Sequence, residues 1–280
     1  MATISAVLVV YNEEARIEAT LRCALWCDEI IVVDKQSTDR TREIARRYTN
    51  QIHKIRYSEF DPNDLEKAIG IARGEWILWL TASDVLHPVL AKQIRALIEH
   101  ADFPYDVIHV PYRRYVLGLE TRRSPWYSDL NPAVFRKRVV KIRYDSVHGA
   151  ISFDTERHYK MANSNEYCMY HLTHQTADGM IERHLLYWRA EGRLFPPDTS
   201  LGKAALAILR AAYRVFARRK TFLMGWNGIA LGAAYISYLA LNFVYIWEHR
   251  RSKAPETYQQ IRSSILQTWG DPPKDRVDGQ

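Results

Sequence analysis

The sequence predicts an α/β fold with a mostly parallel sheet, followed by a helical, membrane-associating region. Three observations predict it: short β-branched runs that end in polar residues, their alternation with helix-period segments to about residue 104, and a stretch over 199–247 that holds no Asp or Glu. Apolar runs without polar alternation mark strands buried on both faces. Strands separated by helix-length segments are joined by crossovers and therefore run parallel.

The elements follow in chain order. Residues 4–10 read as a strand that runs out into Tyr11, Asn12 and Glu13. Ile17, Leu21, Ala24 and Leu25 fall at helical spacing, which predicts a helix over about 13–26. A second strand, 29–34, ends at Asp34, and Ser37, Thr38 and Asp39 are candidate caps for a helix reaching Tyr48. A short strand near 51–55, a helix over 64–73 closed by Gly74, and a strand from Trp76 to Leu80 continue the rhythm. Pro88 suits the first turn of a helix carrying Leu90, Ile94, Leu97 and Ile98. Beyond about residue 105 the pattern changes to short strands at 107–112, 133–135 and 150–153 among aromatic and basic loops.

Composition bounds the function. At 280 residues, 47% hydrophobic and 25% charged, the chain can bury a large core. A net charge of +7 favours anionic partners such as nucleoside diphosphates and anionic lipids. No nucleic-acid-binding motif accompanies the charge, so nucleic acid is not an expected partner. Three cysteines make no disulfide framework and indicate a reducing compartment. No signal peptide is read at the start of the chain, which places the catalytic part in the cytoplasm.

Within 199–247, Lys203, Arg210, Arg214 and Arg218 share one helical stripe, opposite Leu201, Ile208, Leu209, Val215 and Phe216. This is the pattern of a helix lying in an anionic interface, with a helix packed on the protein through its apolar face as the alternative. Residues 221–247 form an uncharged run longer than the roughly 20 residues that span a bilayer. Basic residues flank it on both sides, so charge assigns no orientation. A single span, a re-entrant hairpin and a monotopic helix all fit.

The strand ends point to chemistry. In open α/β sheets the ligand crevice lies beyond the carboxyl ends of the strands, and Asp34 ends one of them, where it can accept hydrogen bonds from a base or ribose. The runs ending in Tyr11, Asn12 and Glu13 and in Val33, Asp34, Ser37, Thr38 and Asp39 resemble the opening of the family 2 glycosyltransferases. Further matches are Gly74 and Trp76, the Trp126, Tyr127 and Asp129 loop, Val147 with His148, and the segment from Phe222 to Gly228. Together they cover roughly residues 4 to 248 and are similar to the subgroup acting on lipopolysaccharide core and other envelope glycans.

The resemblance implies a GT-A catalytic domain over 1–195, with a nucleotide-binding half (1–104) and an acceptor-binding half (105–195). Residues 196–250 would be the membrane-associating region and 251–280 a polar tail. It implies an inverting enzyme that moves a sugar from a nucleotide-sugar donor to a lipid-linked or lipopolysaccharide-type acceptor at the cytoplasmic face of the inner membrane. The alternative is a catalytically silent nucleotide-sugar-binding homologue. Tyr11, Glu13, Asp34, Lys67 and Asp84 are the candidate donor-binding residues, and Trp126, Asp129 and His171 the candidate acceptor-binding residues.

Two departures from the family pattern matter. Its Asp-x-Asp motif, which holds magnesium or manganese across the diphosphate, is replaced by Thr81 and Ser83, leaving Asp84 one position late. Asp84 alone could hold the ion, basic residues such as Lys67 could replace it, or the protein could bind without catalysing. The family's Val-His-Glu also lacks its carboxylate, because Gly149 follows His148. Asp145 is then the first choice for the base that activates the acceptor hydroxyl, and His148 the second.

Overall fold

The computed structural model describes residues 2–58, 62–142, 151–194 and 201–269. The predicted alternation is present: β1 (Ile4–Val10), α1 (Ile17–Cys23), β2 (Glu29–Asp34), α2 (Thr41–Ala45), β3 (Ile52–Lys54), α3 (Pro62–Ile71), β4 (Trp76–Leu80), β5 (Asp84–Leu86) and α4 (Pro88–Glu99). Next come β6 (Val107–Val116), β7 (Leu119–Glu120), β8 (Leu130–Arg136), β9 (Val140–Ile142), β10 (Ile151–Phe153), β11 (His158–Lys160) and β12 (Met169–Thr173). Four longer helices close the described chain: α5 (Ala177–Leu194), α6 (Leu201–Tyr213), α7 (Trp226–Arg251) and α8 (Ala254–Trp269).

The main sheet runs β3-β2-β1-β4-β8-β6-β12-β5. Its first four strands are parallel, and β8 enters antiparallel between β4 and β6. Side chains of successive strand residues point to opposite faces. On one face Ile4, Ala6, Leu8, Ile30, Val32, Trp76 and Leu78 pack against α1, α2 and α4. On the other, Val7, Ile31, Val33, Ile77 and Phe135 pack against Leu65, Ala68 and Ile69 of α3. Both faces are therefore covered, which is why these strands carry so few polar residues.

β1 lies between β2 and β4, so the chain leaves it once in each direction. This reversal of strand order opens a crevice at the carboxyl ends of β1 and β4, the place where such sheets take their ligands. α1 begins at Ile17 rather than near residue 13, because the Glu13 carbonyl closes a turn by accepting from Arg16 N and Ile17 N, both at 3.0 Å. The residues ahead of the helix are thereby kept in a loop facing the crevice.

A third apolar cluster, Val116, Met180 and Leu231 with Trp126 and Met224, joins α5 and α7 to the loop after β7. α7 crosses its neighbours at glycines: a Cβ on Gly228 would meet the Thr221 carbonyl oxygen at 1.8 Å, and one on Gly232 would meet Val215 Cγ1 at 2.7 Å. Trp188 Nε1 donates to the Tyr238 carbonyl at 3.0 Å and its ring stacks on Tyr245, tying α7 to α5. α8 is exposed along its described length.

Candidate active site

The loops after β1 and β2 are stitched together by short polar side chains. Asn12 adopts a left-handed backbone (φ 51°), which its short amide side chain tolerates. Its N–H donates to Ser37 Oγ at 2.9 Å, and its Oδ1 accepts from Thr38 N at 2.8 Å. Glu13 N donates to Thr41 Oγ1 at 2.7 Å, and Glu14 N to Asp39 Oδ2 at 3.0 Å. Ser37 and Asp39, candidate helix caps by sequence, thus fix the loop that follows β1; Asp39 also accepts from Thr41 N at 2.9 Å.

Asp34, paired in register with Val10, is fully buried at the end of β2. Its Oδ1 accepts from Ser37 N at 3.1 Å. Its Oδ2 faces Arg42 Nε at 3.3 Å without the alignment of a hydrogen bond. Beside it Lys35, itself buried, pairs with Asp64 at 2.9 Å. Tyr11 and Tyr57 hold their rings 4.3 Å apart in a tilted pair. Lys67 stands at the rim with its side chain 57% exposed and only a 4.0 Å contact to Asp64. Lys35 is the buried cation of this corner, and a lysine directly after a strand-end aspartate gives no sequence signal of that role.

Across the crevice, Glu13 is gripped by two arginines. Its Oε2 accepts from Arg16 Nε at 2.8 Å and its Oε1 from Arg183 Nη2 at 3.0 Å. Arg16 then spans to β4's far end, where its Nη1 donates to Ser83 Oγ at 2.8 Å. Arg16 and Ser83, with Glu14, Arg22 and Gln175, also line a cleft of about 400 Å³. Nearby His174 has its pKa lowered to about 3, first by burial and then by its electrostatic interaction with His184, Arg183, His171 and Arg16. It is therefore uncharged at physiological pH.

Asp84 is buried and fully engaged. Oδ2 accepts from Thr81 N at 2.7 Å and from Thr81 Oγ1 at 2.8 Å, while Oδ1 meets His171 Nδ1 at 2.8 Å. His171 is its cross-strand partner on β12, so these two candidates do come together. As a metal site the arrangement does not fit: the carboxylate is already spent on the protein, its neighbours are neutral hydroxyls, and a guanidinium stands on Ser83. Among the described residues no group of three or more His, Cys, Asp or Glu side chains could hold an ion.

The other candidates lie apart from this cluster. Trp126 packs edge-on against Tyr235 of α7 at 5.4 Å, and Asp129 accepts from Asn163 Nδ2 at 3.0 Å and from the Tyr127 hydroxyl. Asp145 and His148 lie outside the described residues.

Residues 5–155, more than half of the chain, match the model of glycosyl transferase family 2. The chain belongs to that family. As a family 2 glycosyltransferase it has a mixed α/β, GT-A-like architecture. Among solved structures it is similar to S. aureus TarS 1-349 in complex with UDP-GlcNAc, at 15% identity and a TM-score of 0.48, over 89% of this chain and 92% of that one. It is also similar to Mycobacterium tuberculosis glucosyl-3-phosphoglycerate synthase in complex with Mn2+, UDP and glucosyl-3-phosphoglycerate, at 15% identity and a TM-score of 0.46, over 70% and 82% of the two chains.

Proposed function

We propose that this glycosyltransferase moves a sugar, with inversion at the anomeric carbon, from a nucleotide-sugar donor to a lipid-linked or lipopolysaccharide-type acceptor at the cytoplasmic face of the inner membrane. The observation that carries the reading is the clamp between the Arg123–Asp129 loop and the C-terminal helices. Thr221 Oγ1 donates to the Arg123 carbonyl at 2.6 Å, Trp126 packs on Tyr235, and Arg219 lies over the Tyr127 ring at 5.4 Å. A loop suited to the acceptor thus rides on the element suited to the membrane. The reading puts most of the donor site on 1–104, the acceptor on 105–195 and the membrane contact on 196–250, with 251–280 a tail.

The turn between α6 and α7 supports membrane contact. Phe216, Leu223 and Trp226 are exposed there, Trp226 by 84%, next to Arg218, Arg219 and Lys220. α7 has 26 residues and contains an 18-residue window with a mean hydropathy of 1.7, the length and composition to cross a bilayer. One of its faces, however, is held to α5, which carries Glu182, Arg183, Arg189 and Glu191, side chains that hydrocarbon accommodates poorly. This favours helices lying in the interface over a span. Tyr11 and Asp34 would grip the donor, Glu13 would serve it by holding Arg16 and Arg183, Trp126, Asp129 and His171 would shape the acceptor side, and Asp145 or His148 would take the acceptor proton.

Each basic residue near an anionic leaflet contributes about 1 kcal/mol, which salt removes, whereas buried apolar area resists salt. The full chain should float with anionic vesicles at low and high salt and leave them only in detergent. Replacing Phe222, Leu223 and Trp226 together by serine should lower kcat/KM for a vesicle-embedded glycolipid by about tenfold or more, since each buried apolar side chain counts for about 1.5–3 kcal/mol, with donor hydrolysis unchanged. A chain that stays in solution at low salt beside anionic vesicles would remove the membrane from the account.

A further inference from the structure

We propose that Arg16 and Arg183, mounted on Glu13, do the work of a divalent ion at the donor diphosphate, so that this enzyme binds its donor without metal. The inference rests on the nucleotide-sugar reading above. Transfer from such a donor leaves a nucleoside diphosphate, whose charge must be compensated as the bond to the sugar breaks. In this chain the compensation has to come from groups at the β1 and β4 ends, where the reversal of strand order opens the crevice.

Two arginine side chains meet there. Arg16 reaches from the loop after β1 to Ser83 after β4 at 2.8 Å, and Arg183 approaches from α5 to the other oxygen of the same Glu13 carboxylate at 3.0 Å. Two guanidiniums share one carboxylate, so this ion-pair cluster by itself carries one positive charge, with Glu14, Arg22 and Glu18 lining the cleft beside it. Glu13 is buried, so it fixes both side chains in place while each guanidinium keeps donors to spare. A planar guanidinium matches phosphate oxygens with two parallel hydrogen bonds, which makes arginine the apt replacement for an ion.

The same geometry opposes a metal. Asp84 has given both oxygens to Thr81 and His171, and a divalent ion beside Ser83 would face the Arg16 cation at hydrogen-bond range. Arg183 lies beyond the residues that match the family model, so the helix after the catalytic sheet supplies part of the donor site.

Calorimetry on the full chain tests the proposal, with uridine and guanosine mono- and diphosphates as probes, in EDTA and in manganese. The diphosphate that binds should do so within about twofold in the two buffers. Arg16→Gln should weaken it by about tenfold or more, the scale of a lost charge-assisted hydrogen bond, and leave the monophosphate within about threefold. Arg16→Lys should recover part of the loss. Arg183→Gln, on a half-exposed side chain whose removal leaves Arg16 on Glu13, carries the test if Arg16→Gln does not fold, with the same preference for the diphosphate. Diphosphate binding that appears only with manganese, or arginine variants that bind as the native chain does, would overturn the proposal and leave the donor reading standing. No binding of any of these nucleotides to the folded protein in either buffer would overturn both.

Discussion

Asp106→Ala is expected to destabilise the protein by about 2 kcal/mol, the scale of losing several hydrogen bonds to one buried charged group. Asp106 sits just before β6 with 1% of its surface exposed. Its carboxylate accepts from Arg138 Nη2 at 2.7 Å, Thr155 Oγ1 at 2.9 Å and Arg157 Nε at 2.7 Å, with Arg136 Nε at 3.4 Å. Three cations from the end of β8 and the approach to β11 therefore converge on one group, and its own backbone joins the same strands. Alanine would remove these hydrogen bonds and leave a void, while Arg138 and Arg157, each more than half exposed, turn to solvent.

The pH dependence has a definite sign. Burial pushes the Asp106 carboxyl up, but the hydrogen bonds from Arg138, Thr155 and Arg157 outweigh it, and the net pKa lies below the ordinary carboxylate value. A depressed carboxyl stabilises above its unfolded pKa and loses that contribution as pH falls through the folded one. Thermal melts should show the full gap between native and variant at neutral pH, about 5 °C for a domain of this size, and a narrowing gap below about pH 4. A gap that persists unchanged in acid would assign the loss to packing instead.

Asp34→Ala should weaken donor binding by about 1–3 kcal/mol, the scale of a lost hydrogen bond involving a charged group. Asp34 Oδ1 is committed to Ser37 N, while Oδ2, enclosed beside Arg42 Nε, lacks an aligned donor and would meet a base or ribose once Arg42 moves aside. Asp34→Asn keeps the shape and removes the charge, and should fall between the two. Arg42, with its side chain 30% exposed, can turn to solvent when its partner is removed, which leaves the fold intact for calorimetry. Affinity equal to that of the native chain would take Asp34 out of the donor site.

Most of the parallel half of the fold was legible in the residues. Strands buried on both faces advertise themselves as apolar runs, which is why 4–10, 29–34 and 76–80 stand in the structure as read. β5 and β12 left no such trace, because each is short and they pair across more than eighty residues of intervening chain. Asp84 and His171 were both legible as candidates, yet their contact depends on that long-range register. Glu13 was visible at its strand end, and Arg16 three residues on fits an ordinary ion pair. What could not be read was the direction of Arg16 onto Ser83, or the arrival of Arg183 from a helix far along the chain. Lys67, a candidate phosphate contact by its place on a helix, stands exposed at the rim, while Lys35 is buried against Asp64, a pairing no local pattern announces.

Saturation-transfer NMR of the full chain against a panel of nucleotide sugars tests the central claim most directly, because it reads which part of a ligand touches protein. The account predicts saturation of base and ribose protons for at least one nucleotide sugar, lost in Asp34→Ala and competed by the matching nucleoside diphosphate. A folded native chain that saturates none of them, or one whose signal is indifferent to Asp34, would contradict a donor crevice at the carboxyl ends of β1, β2 and β4.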